Sequence, residues 1–200
     1  KNQKRLLQLD TLEKFKEVLE QPHSPITRRS LANILHNMTK NEHLQEDIFD
    51  SEALSILQHI ANTTDLQALI YAYSSVRYLA ECRPNRPKWS PEEVTTVLSW
   101  VEDPLETDTV LVSLVLKTLR SLATVEAHCK IMVQKGLIHQ LCVCMDIGEY
   151  EADVYMPAVS TIGCIAAFDA FRAECATHAV LMPLRIQLEA HAGSSLMLEK

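Results

Sequence analysis

At 200 residues, 47% hydrophobic and 22% charged, the chain is long enough to bury a sizeable core and not polar enough to be disordered. Its formal charge of −7 argues against general attraction to nucleic-acid phosphates or anionic lipid. No apolar run approaches the roughly 20 residues of a membrane-spanning helix, and four glycines, eight prolines and little β-branched alternation leave helix as the dominant expectation.

Residues 5–20 place Leu9, Leu12, Phe15, Val18 and Leu19 on one side of a helix that ends at Gln21-Pro22. Ser24-Pro25 starts the next, because serine caps free N–H groups and proline fits a first turn where its missing donor costs nothing. Leu31, Ile34, Leu35 and Met38 form its buried stripe. Thr39 and Glu42 read as a capping box for a short helix through Leu44, Ile48 and Phe49, and a further helix carries Leu54, Leu57 and Ile60. A second set runs from about Asp65 through Ile70, Val76 and Leu79, with Arg83-Pro84-Asn85-Arg86-Pro87 expected as a loop. It resumes at Ser90-Pro91-Glu92-Glu93, another cap with proline at its first turn. The third set carries Val112, Val115, Leu119 and Leu122, then Ile131 to Val133, a turn at Gly136, and Leu137 to Met145. The fourth carries Ala158, Ile162 and Ile165, then Cys175 and Ala176, then Leu181, Leu184 and Leu188.

These sets share one pattern. Met38, Leu79, Leu122 and Ile165 mark the same place, 41, 43 and 43 residues apart. Three residues earlier stand Leu35, Val76, Leu119 and Ile162, and seven earlier Leu31, Ala72, Val115 and Ala158. A period near 42 belongs to stacked helical repeats, each burying its apolar face on its neighbours. The expected organisation is one domain over 1–200, with a partial unit at 1–22 and units at about 23–62, 63–104, 105–148 and 149–192. The chain begins at Lys1 without an initiator Met, so a fragment, a processed product or part of something longer is expected, with more repeats or another subunit covering an end.

In this register the chain resembles the armadillo repeat family. Leu31 to Thr39 (LANILHNMT) looks like the family's long-helix ending, and Val133 to Ile138 (VQKGLI) like its glycine junction. The resemblance implies an all-α, right-handed α-solenoid of about four three-helix repeats, whose long third helices line a concave face. Only Gly136 supplies the junction glycine, with Glu52, Glu93 and Ala179 at the matching places, and only Asn37 supplies the groove asparagine. The two-helix HEAT architecture therefore stays open. The clamp positions are Asn33 and Asn37, Ser74 and Tyr78, Lys117 and Ser121, Ser160 and Cys164; none holds the family's tryptophan, so importin-like cargo binding is not expected. With Tyr71, one heptad before Tyr78, these positions are the expected partner-binding surface. For the two tyrosines, plain packing against a neighbouring unit stands equally open. Trp89 falls opposite Met132 in the register and is expected to be buried.

Catalytic constellations are lacking. Cys142, Cys144 and His139 invite a zinc reading, but residues two apart diverge on a helix and no second pair completes a tetrahedron. His128-Cys129 lacks a third orienting group. No phosphate loop, nucleophile elbow or HExxH pair occurs, so no enzyme, cofactor or metal is expected. Cys82, Cys129, Cys142, Cys144, Cys164 and Cys175 lie in apolar helical patterns, which points to reduced thiols and an intracellular setting, the cytoplasm favoured. Glu149, Glu151 and Asp153 form an acidic helix entry, with docking of a basic segment as the sharper alternative. The expected function is a protein–protein interaction scaffold within a multi-subunit assembly. The alternative is an RNA-associated subunit of a ribonucleoprotein, using a basic strip of Arg28, Arg29, Lys40, Lys117 and Arg120.

Overall fold

A computed structural model of the chain describes residues 11–20, 24–51, 53–101, 108–147 and 152–177, with Val180, Met182 and Arg185. The regular elements are helical, and no strand occurs among the described residues. Contacts divide the chain into two compact units, Lys1–Trp89 and Ser90–Lys200.

The first unit contains α1 (Thr11–Glu20), α2 (Pro25–Thr39), α3 (Gln45–Phe49), α4 (Ala53–Ala61) and α5 (Leu66–Glu81). Ser24 caps α2 through Thr27 N and Asp65 caps α5 through Ala68 N, each satisfying a donor that the first turn leaves open. The two long helices pack on each other through Leu31, Leu35 and Met38 of α2 and Ala72, Val76 and Leu79 of α5. Leu54, Leu57 and Ile60 of α4 close the core from below α5. Short turns of 3-10 helix at Glu42–Leu44 and Arg83–Lys88 follow the long helices. Buried amides join them: Gln45 Nε2 donates to Thr39 O at 2.8 Å, and Asn85 Nδ2 donates to Gln45 O at 3.1 Å and to Leu79 O at 3.3 Å. Trp89 is 3% exposed, its ring 5.6 Å from that of Phe49, so the indole is a core group as the register indicates.

The second unit contains α6 (Pro91–Ser99), α7 (Thr109–Leu122), α8 (Glu126–Gln134), α9 (Leu137–Ile147), α10 (Ala152–Ala166) and α11 (Arg172–Cys175). Ser90 and Glu93 form a complete capping box at α6. Gly136 turns α8 into α9 with φ of 80°, the left-handed region that a side chain disfavours. Helices α7 and α10 pack over Val112, Val115, Leu119, Ala158, Ile162 and Ile165. Pro157 sits inside α10 and has no N–H for the carbonyl of Asp153, four residues back. Ser113 Oγ of α7 donates to that carbonyl at 2.7 Å and so supplies the missing bond from the neighbouring helix.

One contact recurs in both units. Gln45 reaches Thr39 O, Arg86 Nε reaches Ala80 O at 3.1 Å, Cys129 Sγ reaches Ala123 O at 3.1 Å, and Arg172 Nε reaches Ala166 O at 3.4 Å. Each donor stands six residues after its acceptor, and the acceptors fall 41, 43 and 43 residues apart. Side chains of three chemical types, an amide, a thiol and two guanidinium groups, cap the carbonyl ends of the four long helices at one sequence period.

Several expectations need correction. Thr39 is the last residue of α2 and donates to His36 O, while Asn41 caps the 3-10 turn through His43 N, so Thr39 and Glu42 form no capping box. Residues 83–87 are not an open loop but 3-10 helix, wound tightly because the prolines at 84 and 87 supply no amide donors and Asn85 and Arg86 bond back to α5. Val18 and Ile34 are each 39% exposed, because each lies one residue, about 100° of helix, off the buried stripe. Leu9, the stop at Gln21-Pro22, Glu52, Glu149, Glu151, Ala179, Leu181, Leu184 and Leu188 lie outside the described residues. No single described helix is long and apolar enough to cross a membrane; α10 and the segment Asp169–Cys175 pass that test only together, across a 113° bend.

Leu119, fully buried, is expected to cost about 2–5 kcal/mol on truncation to alanine. Ser113→Ala is expected to cost about 1–3 kcal/mol because it orphans the Asp153 carbonyl. In a Pro157→Ala background that cost should largely vanish, since the restored amide takes the same acceptor. Urea denaturation of the four proteins in this double-mutant cycle measures both effects, and an unchanged Ser113 cost would refute the exchange.

Candidate functional site

The surface built by α2 and α5 starts from an ion pair at their N-terminal ends. Arg29 donates to Asp65 Oδ2 from Nε at 3.1 Å and from Nη2 at 2.6 Å. The same carboxylate accepts from Ala68 N, and these bonds, Arg29's first, hold Asp65 below the usual carboxylate range. Arg28 Nη1 donates to Asn62 O at 3.1 Å. The helices therefore run parallel, and the last turn of α2 meets the stretch of α5 from Tyr71 to Tyr78.

His36 marks that meeting. Its ring centroid lies 5.3 Å from that of Tyr71 and 5.8 Å from that of Tyr78, with interplanar angles of 37° and 43°. Rings at these distances and tilts attract one another beyond simple area burial. The Arg77 guanidinium carbon stands 4.5 Å from the Tyr78 centroid, a cation–π geometry, and its Nη1 is 3.7 Å from Glu81 Oε1. His36 Nδ1 and Arg77 Nε are buried without a protein hydrogen-bond partner. Burial first, then the positive charges of Lys40 and Arg77, push the His36 pKa down, so the ring is neutral at pH 7.

The structure groups four of the expected residues. Asn33 and Asn37 are exposed on α2, with Asn37 Nδ2 donating to Asn33 O at 2.9 Å and to Asn33 Oδ1 at 3.0 Å. Tyr71 and Tyr78 are half-buried on α5. Ser74, 8% exposed, lies between them along α5 but is too covered to offer its hydroxyl to a partner. In the second unit Lys117 Nζ is 3.6 Å from Asp153 Oδ1, and Ser121, 5% exposed, donates to Lys117 O at 3.2 Å. Ser160 is half-buried on α10. Spacing alone missed His36 and Arg77. The signal was their shared place, two residues before Met38 and before Leu79, which puts both at the edge of the buried stripe.

Elsewhere the surface is less organised for binding. An open groove of about 630 Å³ lies between α8 and the segment 169–175, lined by Ala127, Val133 and Phe171 together with Glu126, Lys130 and Glu174. The described residues contain no group of three His, Cys, Asp or Glu placed to hold a metal ion. All six cysteines are thiols, and burial pushes Cys129 and Cys144 up to about 12, so neither is a thiolate at neutral pH. His128 Nδ1 faces Leu122 O at 3.3 Å, a structural contact within the core.

The chain matches no family model, and no curated protein matches it in sequence. Among solved structures it is similar to the crystal structure of an engineered protein, a target of the Northeast Structural Genomics Consortium. The TM-score is 0.69 at 16% identity, over 96% of this chain and 76% of that one. The likeness is one of all-helical fold.

Because the fold lowers the His36 pKa, the unfolded chain takes up that proton first as pH falls, and the native state loses stability through the ordinary histidine range near pH ~6.5. The melting temperature of the native protein is expected to fall more steeply between about pH 8 and about pH 5 than that of His36→Gln. Parallel curves for the two proteins would show that His36 contributes nothing to the pH dependence.

Proposed function

We propose that the chain is a right-handed α-solenoid of about four armadillo-like repeats, at 23–62, 63–104, 105–148 and 149–192, acting as a non-catalytic protein–protein interaction scaffold in a larger assembly. The recurrence of the long-helix cap at Gln45, Arg86, Cys129 and Arg172 supports the repeat organisation, since the same local problem is solved at the same period. The observation that carries the binding role is the half-buried cluster of His36, Tyr71, Tyr78 and Arg77, flanked by exposed Asn33 and Asn37. Rigid aromatic rings held by neighbours lose little freedom when a partner covers them, which is what a hot spot requires.

Pairing of the basic residues favours this over an RNA-directed strip. Arg28 is engaged by Asn62 O and Arg29 by Asp65, so two of its five cations already have hydrogen-bond acceptors, and Lys117 has the Asp153 carboxylate 3.6 Å away. The thiols raised to about 12 support a non-catalytic role for the cysteines.

Crosslinking in cells followed by identification of the attached proteins is the direct experiment. Tyr78→Ala is expected to weaken capture of a direct partner by about 1–2 kcal/mol, on the order of tenfold, with circular dichroism and melting temperature retained. Unchanged capture by a folded Tyr78→Ala protein would remove α5 from the binding face.

A further inference from the structure

We infer that the α2–α5 face takes an extended acidic segment of a partner protein, with a carboxylate seated at the Lys40 and Arg77 end beside the Tyr78 ring. This rests on the proposal that α2 and α5 form a partner-binding surface, and it adds the chemistry of what binds there.

The charge balance along the two helices is uneven. At the N-terminal end Arg29 is neutralised by Asp65 at 2.6 Å. At the C-terminal end Lys40 is exposed and has no ion pair among the described residues. Among the described residues the one carboxylate paired with Arg77 is Glu81, at 3.7 Å, well beyond the roughly 2.7–2.9 Å of a charge-assisted hydrogen bond. Two cations thus meet one loosely held carboxylate. Arg77 stands 4.5 Å from the Tyr78 centroid, and after burial, the larger cause, both charges lower the proton affinity of His36, so cations lie close to the aromatic cluster even though the chain carries −7 overall.

The surroundings amplify that field. Arg77 is only 22% exposed and lies over the Tyr78 ring, which reduces its hydration and strengthens any ion pair it forms. A lysine or arginine brought to the same place would meet two like charges, and a neutral side chain would gain nothing from them. Tyr71 and Tyr78 stand seven residues apart, about 10 Å along the helix axis, a distance that roughly three residues of extended chain cover. A segment laid along the cluster can therefore touch both rings and still deliver its carboxylate at the cationic end.

The test uses three pools of short synthetic peptides, randomised except for a central residue fixed as Glu, Gln or Lys, on the intact chain. The Glu pool is expected to be retained better than the Gln pool by on the order of tenfold, and the Lys pool least of all. Arg77→Gln and Lys40→Gln should each erase much of the Glu preference. Lys40, exposed at the end of α2, provides a variant whose folding is not at stake. Equal retention of the Glu and Gln pools, an unchanged preference in both folded variants, or retention of no pool would each overturn the acidic specificity. The face itself is judged separately by Tyr78→Ala: loss of partner capture in that variant together with equal pools would leave the surface standing and discard only its preference for acid.

Discussion

A long helix ends in carbonyl groups that its own backbone cannot satisfy, and in this chain each of the four long helices is followed closely by a turn that carries a donor for one of them. At three of the four ends, Thr39, Ala80 and Ala123, the acceptor residue is buried, and the protein supplies a donor of its own. It does so from the sixth residue on, whether that residue is Gln45, Arg86, Cys129 or Arg172. An amide, two guanidinium groups and a thiol perform one task because it demands only a polar hydrogen on a side chain of adequate reach. The turns set the direction in which the chain leaves each long helix, and therefore where the following short helices can pack.

The same economy explains the first unit's interior. Asn85 is fully buried, yet its amide donates to Gln45 O and Leu79 O and so ties the turn after α5 to the start of α3. Below it Trp89 packs against Phe49. Polar and aromatic groups that would be costly alone become the joinery of two successive turns.

Much of the helical plan was legible in the residues. The i, i+4, i+7 stripes at Leu31, Leu35 and Met38 and at Val115, Leu119 and Leu122 are buried, because helical periodicity and burial are one geometric fact. Ser24, Ser90 and Gly136 were legible because caps and left-handed turns tolerate few residue types. The long-helix caps were not, since an amide, a thiol and two guanidinium groups share no single residue type that a period could reveal. The cluster was half visible: Tyr71 and Tyr78 stand out as aromatics a heptad apart, but nothing local says that His36, on another helix, completes them. Ser74 and Ser121 show the opposite limit, for their register places them on the right face while neighbouring side chains cover them.

Pro157 carries a consequence for how the second unit assembles. A helix interrupted by proline cannot finish its own backbone ladder, and α10 borrows its absent donor from Ser113 across the seam with α7. Coiling of that segment and its arrival against α7 thus reinforce one another. One side-chain bond couples the backbone of α10 to a helix forty positions earlier in the chain, so that α10 is complete only against α7.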